Sequence, residues 1–161
     1  MFNRKLLVLL HVVSGIYSGA CVSIALVDIR FVKAMSEGPR AREAFASLLS
    51  YMGQMMIPFL LILLFLILSF SVQLAKRKAT FCAYIPLFVL LATVMITGVV
   101  HIPINQTFMS EQILTNEEVR LLLSKWEFWH WLRTGLSLTL PGLIVWIYRK
   151  GLSYKLNPVL T

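Results

Sequence analysis

Apolar residues are concentrated along the chain in four long runs, and the shorter stretches between them carry most of the charged side chains. The runs cover residues 6–27, 55–75, 79–100 and 129–148. Each is close to the length of about 20 residues with which an α-helix crosses a hydrocarbon core. The pattern predicts an all-α fold in which residues 1–161 form one domain, a bundle of four transmembrane helices.

The connection between the first two runs has a helical pattern of its own. Between residues 28 and 54, apolar positions recur every three or four residues on both sides of a Gly38-Pro39 pair. This spacing indicates amphipathic helices, and a Gly-Pro pair favours a turn between them. We therefore expect the first two helices to extend beyond the membrane as a hairpin.

Two local signals mark the connection between the third and fourth runs. Pro103 and Asn105 are predicted to end the third helix, since proline lacks the backbone N–H that a continuing helix needs. Further along, Thr115 is followed three positions later by Glu118, which is the pattern of an N-terminal capping box. The fourth helix is therefore predicted to begin at Asn116 and to run without interruption into the fourth apolar run.

The composition indicates an integral membrane protein. Hydrophobic residues make up 58% of the chain and charged residues only 14%, which leaves too little polar surface to cover a soluble domain. In a soluble protein the net charge of +8 would suggest nucleic-acid binding. In a membrane protein the placement of the charges along the chain is more informative, because it reports topology.

The charged residues are distributed unevenly between the two ends of the predicted bundle. One end carries only basic residues: Arg4, Lys5, Lys76, Arg77, Lys78, Arg149, Lys150 and Lys155. All seven acidic residues fall in the first and third connections. By the positive-inside rule both termini are cytoplasmic, and the helical extensions are extracytoplasmic. We expect a multi-pass protein of a bacterial inner membrane that has no nucleic-acid partner; a homo-oligomer is an open alternative.

Polar residues from all four helices are predicted to meet at one depth. Counting about 20 residues from each cytoplasmic end brings six of them to the outer boundary: Asp28, Gln54, His101, Asn105, His130 and Arg133. Ionisable groups at this depth are costly to leave unpaired, so they are expected to point inward and to contact one another. In a purely structural interpretation, an outer carboxylate such as Asp28 neutralises Arg133, and Asn105 and the histidines cap helix ends.

Small and aromatic residues near this depth have two interpretations each. Gly15, Gly19 and Ser23 recur every four residues on the first helix, which is typical of close helix packing but would also form a flat wall for a planar ligand. Trp126, Trp129 and Trp131 are typical of an interfacial aromatic belt, and Trp129 and Trp131 could instead form the walls of a pocket.

Two motifs around the third connection carry a family resemblance. They are His101-Ile-Pro103-Ile-Asn105-Gln-Thr-Phe108 after the third run and Trp131-Leu-Arg133-Thr134-Gly135 at the start of the fourth. The sequence resembles the anthrone-oxygenase-like family of small four-helix membrane proteins, whose pattern is a Pro-x-Asn turn after helix 3 and a Trp…Leu-Arg-Thr entry to helix 4. Pro103 and Asn105 match the first element, and Arg133 with Trp129 or Trp131 matches the second.

The resemblance implies oxidation of a planar anthrone-type phenolic by molecular oxygen without a tightly bound cofactor. Such an enzyme needs a base, a stabiliser for the substrate anion and an apolar slot. His130 or His101 is the candidate base, and Arg133 and Asn105 are the candidate anion stabilisers. The candidate substrate-binding residues are Trp129, Trp131, Gly15, Gly19, Asp28 and Gln54.

Two alternatives from other classes remain open. His101 and His130 at one depth would suit haem b or copper in a membrane redox protein. The protein could instead be a non-catalytic membrane subunit, or a carrier that holds a lipid-like or small planar molecule between its outer helices. A Soret or charge-transfer band would favour the first alternative, whereas binding without turnover would favour the second.

Overall fold

Four long helices make up the fold. The computed structural model describes residues 4–35, 37–76 and 81–156, with the side chains at 81 and 151–156 excepted. The helices are α1 (Arg4–Lys33), α2 (Gly38–Ala75), α3 (Cys82–Met109) and α4 (Asn116–Leu156). The described ranges contain no strand, and the predicted all-α four-helix fold is confirmed.

Two of these helices change their hydrogen-bonding pattern near the predicted polar depth. α1 contains a π-helical segment at Ile24–Asp28, and α3 contains another at Thr97–His101, each followed by α-helix. The N–H of Ile102 donates to the carbonyl of Thr97, five residues back. Such π segments re-aim the side chains that follow them and occur often at functional sites.

The predicted end of the third helix at Pro103 is wrong. α3 continues as α-helix over Ile102–Met109, and Pro103 lies in its first turn, directly after the π segment. Proline is tolerated in a first helical turn, where its missing N–H would lack a regular partner in any case. Asn105 therefore lies inside the helix, one turn after His101.

The connection between α1 and α2 lies slightly before its predicted position, because Gly38 and Pro39 already form the first turn of α2. The predicted helical hairpin is present, and its projection beyond the membrane stays a prediction. Two contacts join its end to α4. Lys33 forms a salt bridge with Glu127 at 2.6 Å, and the Gly38 N–H donates a hydrogen bond to the side-chain oxygen of Asn116 at 2.9 Å.

The two ends of the third connection are stabilised by side chains. The Nε of Arg42 donates to the carbonyl of Phe108 at 3.1 Å, and its other nitrogens bond to the carbonyls of Ser110 and Gln112, so one guanidinium caps the end of α3. At the start of α4, the predicted capping box is confirmed. The Thr115 N–H donates to the Glu118 carboxylate at 2.8 Å, and the Glu118 N–H donates to the Thr115 hydroxyl at 3.3 Å.

Three helices, α1, α2 and α3, are long and apolar enough to cross a membrane. α2 has 38 residues. At about 1.5 Å per residue, its length exceeds the thickness of a hydrocarbon core, which is roughly 30 Å. The described part of α4 is more polar than these three, and its crossing over 129–148 stays a prediction. Residues 77–80, with part of the predicted basic patch and the start of the third run, lie outside the described residues.

The bundle interior consists of two apolar clusters with a polar layer between them. α4 packs along both α1 and α3, and α2 packs against α1 and α3. The terminal cluster, near the chain ends, is built on residues such as Leu10, Leu66, Phe70, Leu90 and Ile144. The hairpin cluster, near the connection between α1 and α2, is built on residues such as Ile29, Phe45, Phe108 and Leu123. Ser14 and Ser18 are buried beside members of the terminal cluster on α1. The buried polar side chains between the two clusters include Thr93, His101, His130, Thr134 and Ser137.

Candidate functional site

A pocket of about 350 Å³ opens beside the polar layer and receives side chains from all four helices. Its volume lies within the range of small-molecule sites. One end is polar, with Tyr17, Thr97, His101, Asn105, Trp126 and Arg133. The remaining wall is apolar and includes Ile24, Leu49, Met52, Met56, Leu60 and Val94. A wider concavity of about 560 Å³ lies on the exposed hairpin among the charged residues Glu37, Arg40 and Glu43, and it lacks such an apolar wall.

Arg133 is held at the polar end by two neutral partners. Its Nη1 donates to the hydroxyl of Thr97 at 3.0 Å, and its Nη2 donates to Nδ1 of His130 at 2.8 Å. The second ring nitrogen of His130 lies 2.9 Å from the carbonyl oxygen of Cys21. Because a carbonyl can only accept, this Nε2 carries the proton and Nδ1 offers its lone pair to the arginine. His130 is thus fully engaged and has no free lone pair.

The Arg133 cation has no carboxylate within 4 Å among the described residues, where the ion pairs are Lys33–Glu127 and Arg40–Glu37. Its Nε is buried and lacks a hydrogen-bond partner in the same part of the chain. The structural interpretation in which Asp28 neutralises this arginine is wrong. A partly buried cation without a counterion is costly, and it favours an anionic group in the adjoining pocket.

His101 is a second group of the site with unpaired polar atoms. Its side chain is 1% exposed, it lines the pocket, and neither ring nitrogen has a hydrogen-bond partner among the described residues. Buried polar atoms are normally paired, so an imidazole with two unpaired nitrogens beside a cavity is a candidate group for binding a molecule in that cavity. Such an imidazole can accept a proton from a bound molecule.

Trp126 organises the rings around His101. It is buried, and it stacks on His101 with ring centroids 4.8 Å apart and on His130 with centroids 4.6 Å apart. Its indole N–H donates to the side-chain oxygen of Asn105 at 2.9 Å. That bond turns the amide group of Asn105 so that its oxygen is occupied, which leaves the amide N–H₂ as the donor available at the pocket wall.

Four predicted site residues are brought together by the structure: His101, Asn105, His130 and Arg133. Of these, His130 lies behind Arg133 and is not part of the pocket wall. Asp28 and Gln54 are not brought to the site. Asp28 lines a separate shallow depression with Phe31 and Tyr51, and Gln54 is exposed on α2.

The prediction that Gly15 and Gly19 form a wall of the pocket is also wrong. Gly15 and Gly19 face outward with no atom of another element near them, and the inward face of α1 carries Ser14, Tyr17 and Ser18 instead. The reason is that Ser18 donates to the carbonyl of Ser137 on α4 at 2.8 Å, which fixes the rotation of α1.

The two tryptophans of the family motif lie outside the pocket wall. Trp129 is half-buried in an edge-to-face contact with Phe128, and Trp131 is 39% exposed. The tryptophan that does line the pocket is Trp126. Trp126, His130 and Arg133 follow one another at intervals of four and three, so helical spacing could have put them on one face of α4.

Thr97 and the two pocket methionines were missed as well. Thr97 and His101 are four residues apart on α3, a spacing that would have placed both on one helix face. Met52 and Met56 have the same spacing on α2, but an apolar stripe is equally typical of ordinary core packing. Only the fold shows that these methionines face a cavity.

The geometry of the two histidines does not suit a shared metal. Their rings are nearly parallel, with an interplanar angle of 24° and centroids 6.0 Å apart, and both nitrogens of His130 are hydrogen-bonded. A haem iron or copper ion bound by both would need one of those nitrogens released. Among the described residues, no group of three or more His, Cys, Asp or Glu side chains could hold a metal ion.

Comparison with known proteins identifies a family model that matches the chain. The sequence model described as anthrone oxygenase matches residues 45–140, a range that includes the pocket-lining parts of α2 and α3 together with Trp126 and Arg133. No curated protein and no solved structure matches the chain at a significant level. The matched range covers more than half of the sequence, and the chain belongs to the anthrone oxygenase family.

Proposed function

We propose that the protein is a membrane-embedded oxygenase that oxidises a planar phenolic of the anthrone type with molecular oxygen in this pocket. The observation that carries the proposal is the pairing of an unneutralised arginine with an unsatisfied imidazole at the polar end of an apolar cavity. The guanidinium can stabilise a phenolate oxygen, and the imidazole can accept the proton that must leave the substrate.

The chemistry starts at the methylene carbon of the anthrone ring. His101 removes one proton from this carbon, and the electron pair of the C–H bond spreads onto the ring oxygens as a phenolate. Arg133 and the amide N–H₂ of Asn105, which both line the pocket, stabilise that anion. The substrate anion then gives an electron to oxygen, and the substrate radical and superoxide combine to a carbon-bound peroxide anion. This anion takes back the proton held by His101 to become a hydroperoxide, and loss of water, with the second hydrogen of the former methylene, leaves a carbonyl. The balance is one CH₂ group and one O₂ converted to one C=O group and one water.

His130 has a supporting role in this proposal. It accepts a hydrogen bond from Arg133 and is anchored in turn to the backbone of α1, so it fixes the position of the guanidinium. It is a positioning residue, and of the two candidate bases His101 is the proposed one. The mechanism uses electrons of the substrate alone, so the proposal retains the expectation that no tightly bound cofactor is needed.

The decisive experiment measures oxygen consumption by the purified protein in lipid vesicles with 1,8-dihydroxyanthrone as substrate. We expect turnover well above the spontaneous reaction, and His101→Ala should lower it by roughly 10²- to 10⁴-fold. His11→Ala is the matched control, because His11 bonds to the carbonyl of Leu7 on its own helix and lies outside the pocket wall. It should keep full activity.

Three outcomes would contradict the proposal. Wild-type protein that binds the anthrone without consuming oxygen would be a carrier, which is the non-catalytic alternative. A Soret band or stoichiometric copper in active protein would indicate the haem or metal alternative. Unchanged turnover in folded His101→Ala protein would show that the base lies elsewhere.

We also propose that the protein is a multi-pass protein of a bacterial inner membrane with both termini cytoplasmic. The basic residues at the terminal end and the acidic residues at the hairpin end support this orientation. A cytoplasm-dependent fluorescent reporter fused after Thr161 should be active, and a periplasm-dependent phosphatase at the same place should be inactive. The reverse result would invert the topology.

A further inference from the structure

The pocket is open on the outer surface of the bundle, between α2 and α3. Of the residues that line it, Ile57 on α2 is 58% exposed and Ile102 on α3 is 47% exposed. Gly98 on α3 also lines the pocket and is exposed. The same residues thus belong both to the pocket wall and to the exterior, so they frame an opening.

The separation of the two helices at this level has a structural cause. α2 packs against α3 before and after the π segment, whereas the segment Thr97–His101 itself packs mainly on α4. Glycine occupies the pocket wall on both sides, at Gly53 and at Gly98, and no atom of another element lies within 4 Å of a Cβ built on either one. A missing side chain on each helix leaves the gap unfilled.

The surroundings of the opening are apolar. On α2, Met55 and Leu61 are 61% and 59% exposed, and on α3, Met95 and Val99 are 62% and 66% exposed. Both helices are long and apolar enough to cross a membrane. Large apolar side chains exposed on such helices face lipid, so the part of the opening at Ile57 and Gly98 faces the acyl chains. Its outer part, at Gly53 and Ile102, lies at the predicted membrane boundary.

We propose that the substrate enters the pocket sideways from the bilayer, through an opening framed by Gly53 and Ile57 on α2 and by Gly98 and Ile102 on α3. This inference rests on the proposed function for the identity of the substrate. It extends that function by naming the route and the substrate class: planar aromatic molecules that dissolve in the membrane and carry their phenolic oxygens on one edge. The apolar rings pass between the helices, and the oxygen-bearing edge reaches Arg133 and His101 at the inner end.

The consequence for specificity is that partitioning into the membrane precedes binding. A sulfonated anthraquinone has the same ring system, but its permanent charge keeps it at the water interface. It should bind far more weakly to protein in vesicles than 1,8-dihydroxyanthraquinone does, even though Arg133 would attract an anion.

The test measures binding kinetics of 1,8-dihydroxyanthraquinone, a product-like probe that undergoes no turnover, by quenching of tryptophan fluorescence in vesicles. Gly98→Leu and Gly53→Leu narrow the opening from opposite helices. A narrowed entrance slows association and dissociation together and leaves Kd little changed, since it raises the barrier and not the energy of the bound state. We expect both rates to fall by about tenfold, which corresponds to about 1.4 kcal/mol of barrier.

Gly142→Leu is the matched control. Gly142 is exposed on α4, has open space around it and lies outside the pocket wall. It should bind the probe at wild-type rates. Circular dichroism and elution volume establish that each variant is folded. If either Gly53→Leu or Gly98→Leu does not fold, the other still tests the route.

The outcomes separate this inference from the proposed function. The lateral route would be overturned by unchanged rates in both Gly53→Leu and Gly98→Leu, by a raised Kd with faster dissociation, or by equal binding of the sulfonated probe. Oxygen consumption by wild-type protein would be unaffected by any of these results. The opposite case is slowed exchange of the probe in Gly53→Leu and Gly98→Leu without anthrone oxidation by wild-type protein. It would support the lateral route and overturn the proposed oxygenase.

Discussion

Arg133 donates a hydrogen bond of 2.8 Å to Nδ1 of His130, three residues earlier on the same helix. The other ring nitrogen of His130 donates to the carbonyl of Cys21 on α1 at 2.9 Å. The imidazole therefore connects the backbone of one helix to the guanidinium of another in a fixed tautomer. This arrangement is typical of a group that orients a functional side chain and not of one that exchanges protons with a substrate.

The first prediction concerns this division of roles between the two histidines. His130→Ala should lower kcat by roughly 10²-fold, because a guanidinium displaced by about 1 Å no longer meets the developing phenolate. His130→Gln should recover most of the loss, since its amide offers one donor and one acceptor. The pH–rate profile distinguishes the roles: the limb that reports the base should persist in His130→Ala and disappear in His101→Ala. If His130→Ala lost this limb and His101→Ala kept it, His130 would be the base.

The second prediction concerns the charge of Arg133. A nearby cation favours the ionised form of a bound phenol. The visible spectrum of bound 1,8-dihydroxyanthraquinone should therefore show the phenolate at lower pH in wild-type protein than in Arg133→Met, with the apparent pKa of the phenol raised by about 1 to 3 in the variant. Arg40→Met, which removes an exposed arginine of the hairpin, should leave the titration unchanged. Equal titrations in wild type and Arg133→Met would place the phenol away from Arg133.

The third prediction concerns the close approach of Gly38 to α4. A Cβ at this position would lie 2.2 Å from Oδ1 and 2.9 Å from Cα of Asn116, and the second of these atoms is backbone that cannot turn away. Gly38→Ala should destabilise the hairpin by about 1–3 kcal/mol and lower the apparent Tm in detergent. Gly142→Ala is the control: it has open space and should be neutral or slightly stabilising in its helix. An unchanged Tm in Gly38→Ala would mean that the α2 and α4 ends are not in contact.

The fourth prediction concerns the start of α4. Hydrogen bonds from the backbone N–H and hydroxyl of Thr115 lower the pKa of the Glu118 carboxyl below its usual value. A carboxylate with a lowered folded-state pKa stabilises the fold above the unfolded pKa, about 4.3, and this contribution is lost as the pH falls through the lower, folded-state value. The apparent Tm should therefore decline with acidification in this range, and less steeply in Glu118→Gln. Glu117→Gln, which removes a charge from the same turn without touching the cap, should keep the wild-type slope.

A residue of the site could be predicted from the sequence where its role followed from its neighbours along the chain. His101, Asn105 and Arg133 were identified because polar groups inside apolar helices are rare, and counting residues from one boundary places them at the same depth. Trp126 was passed over because a tryptophan near a membrane boundary is usually interfacial. Gly15 and Gly19 were misassigned, since a stripe of small residues marks a helix face without showing which neighbour, if any, it meets.

By itself the sequence determined the four helices, the asymmetry of charge between their ends, the cap at Thr115 and the depth at which polar groups gather. These follow from hydropathy, length and local hydrogen bonding, which act along the chain. The tertiary structure decided the rotation of each helix, the continuation of α3 past Pro103, the engagement of His130 and the cavity between α2 and α3. These depend on interhelical contacts such as Ser18 to Ser137, and on π segments that shift the faces of α1 and α3, so no local pattern specifies them.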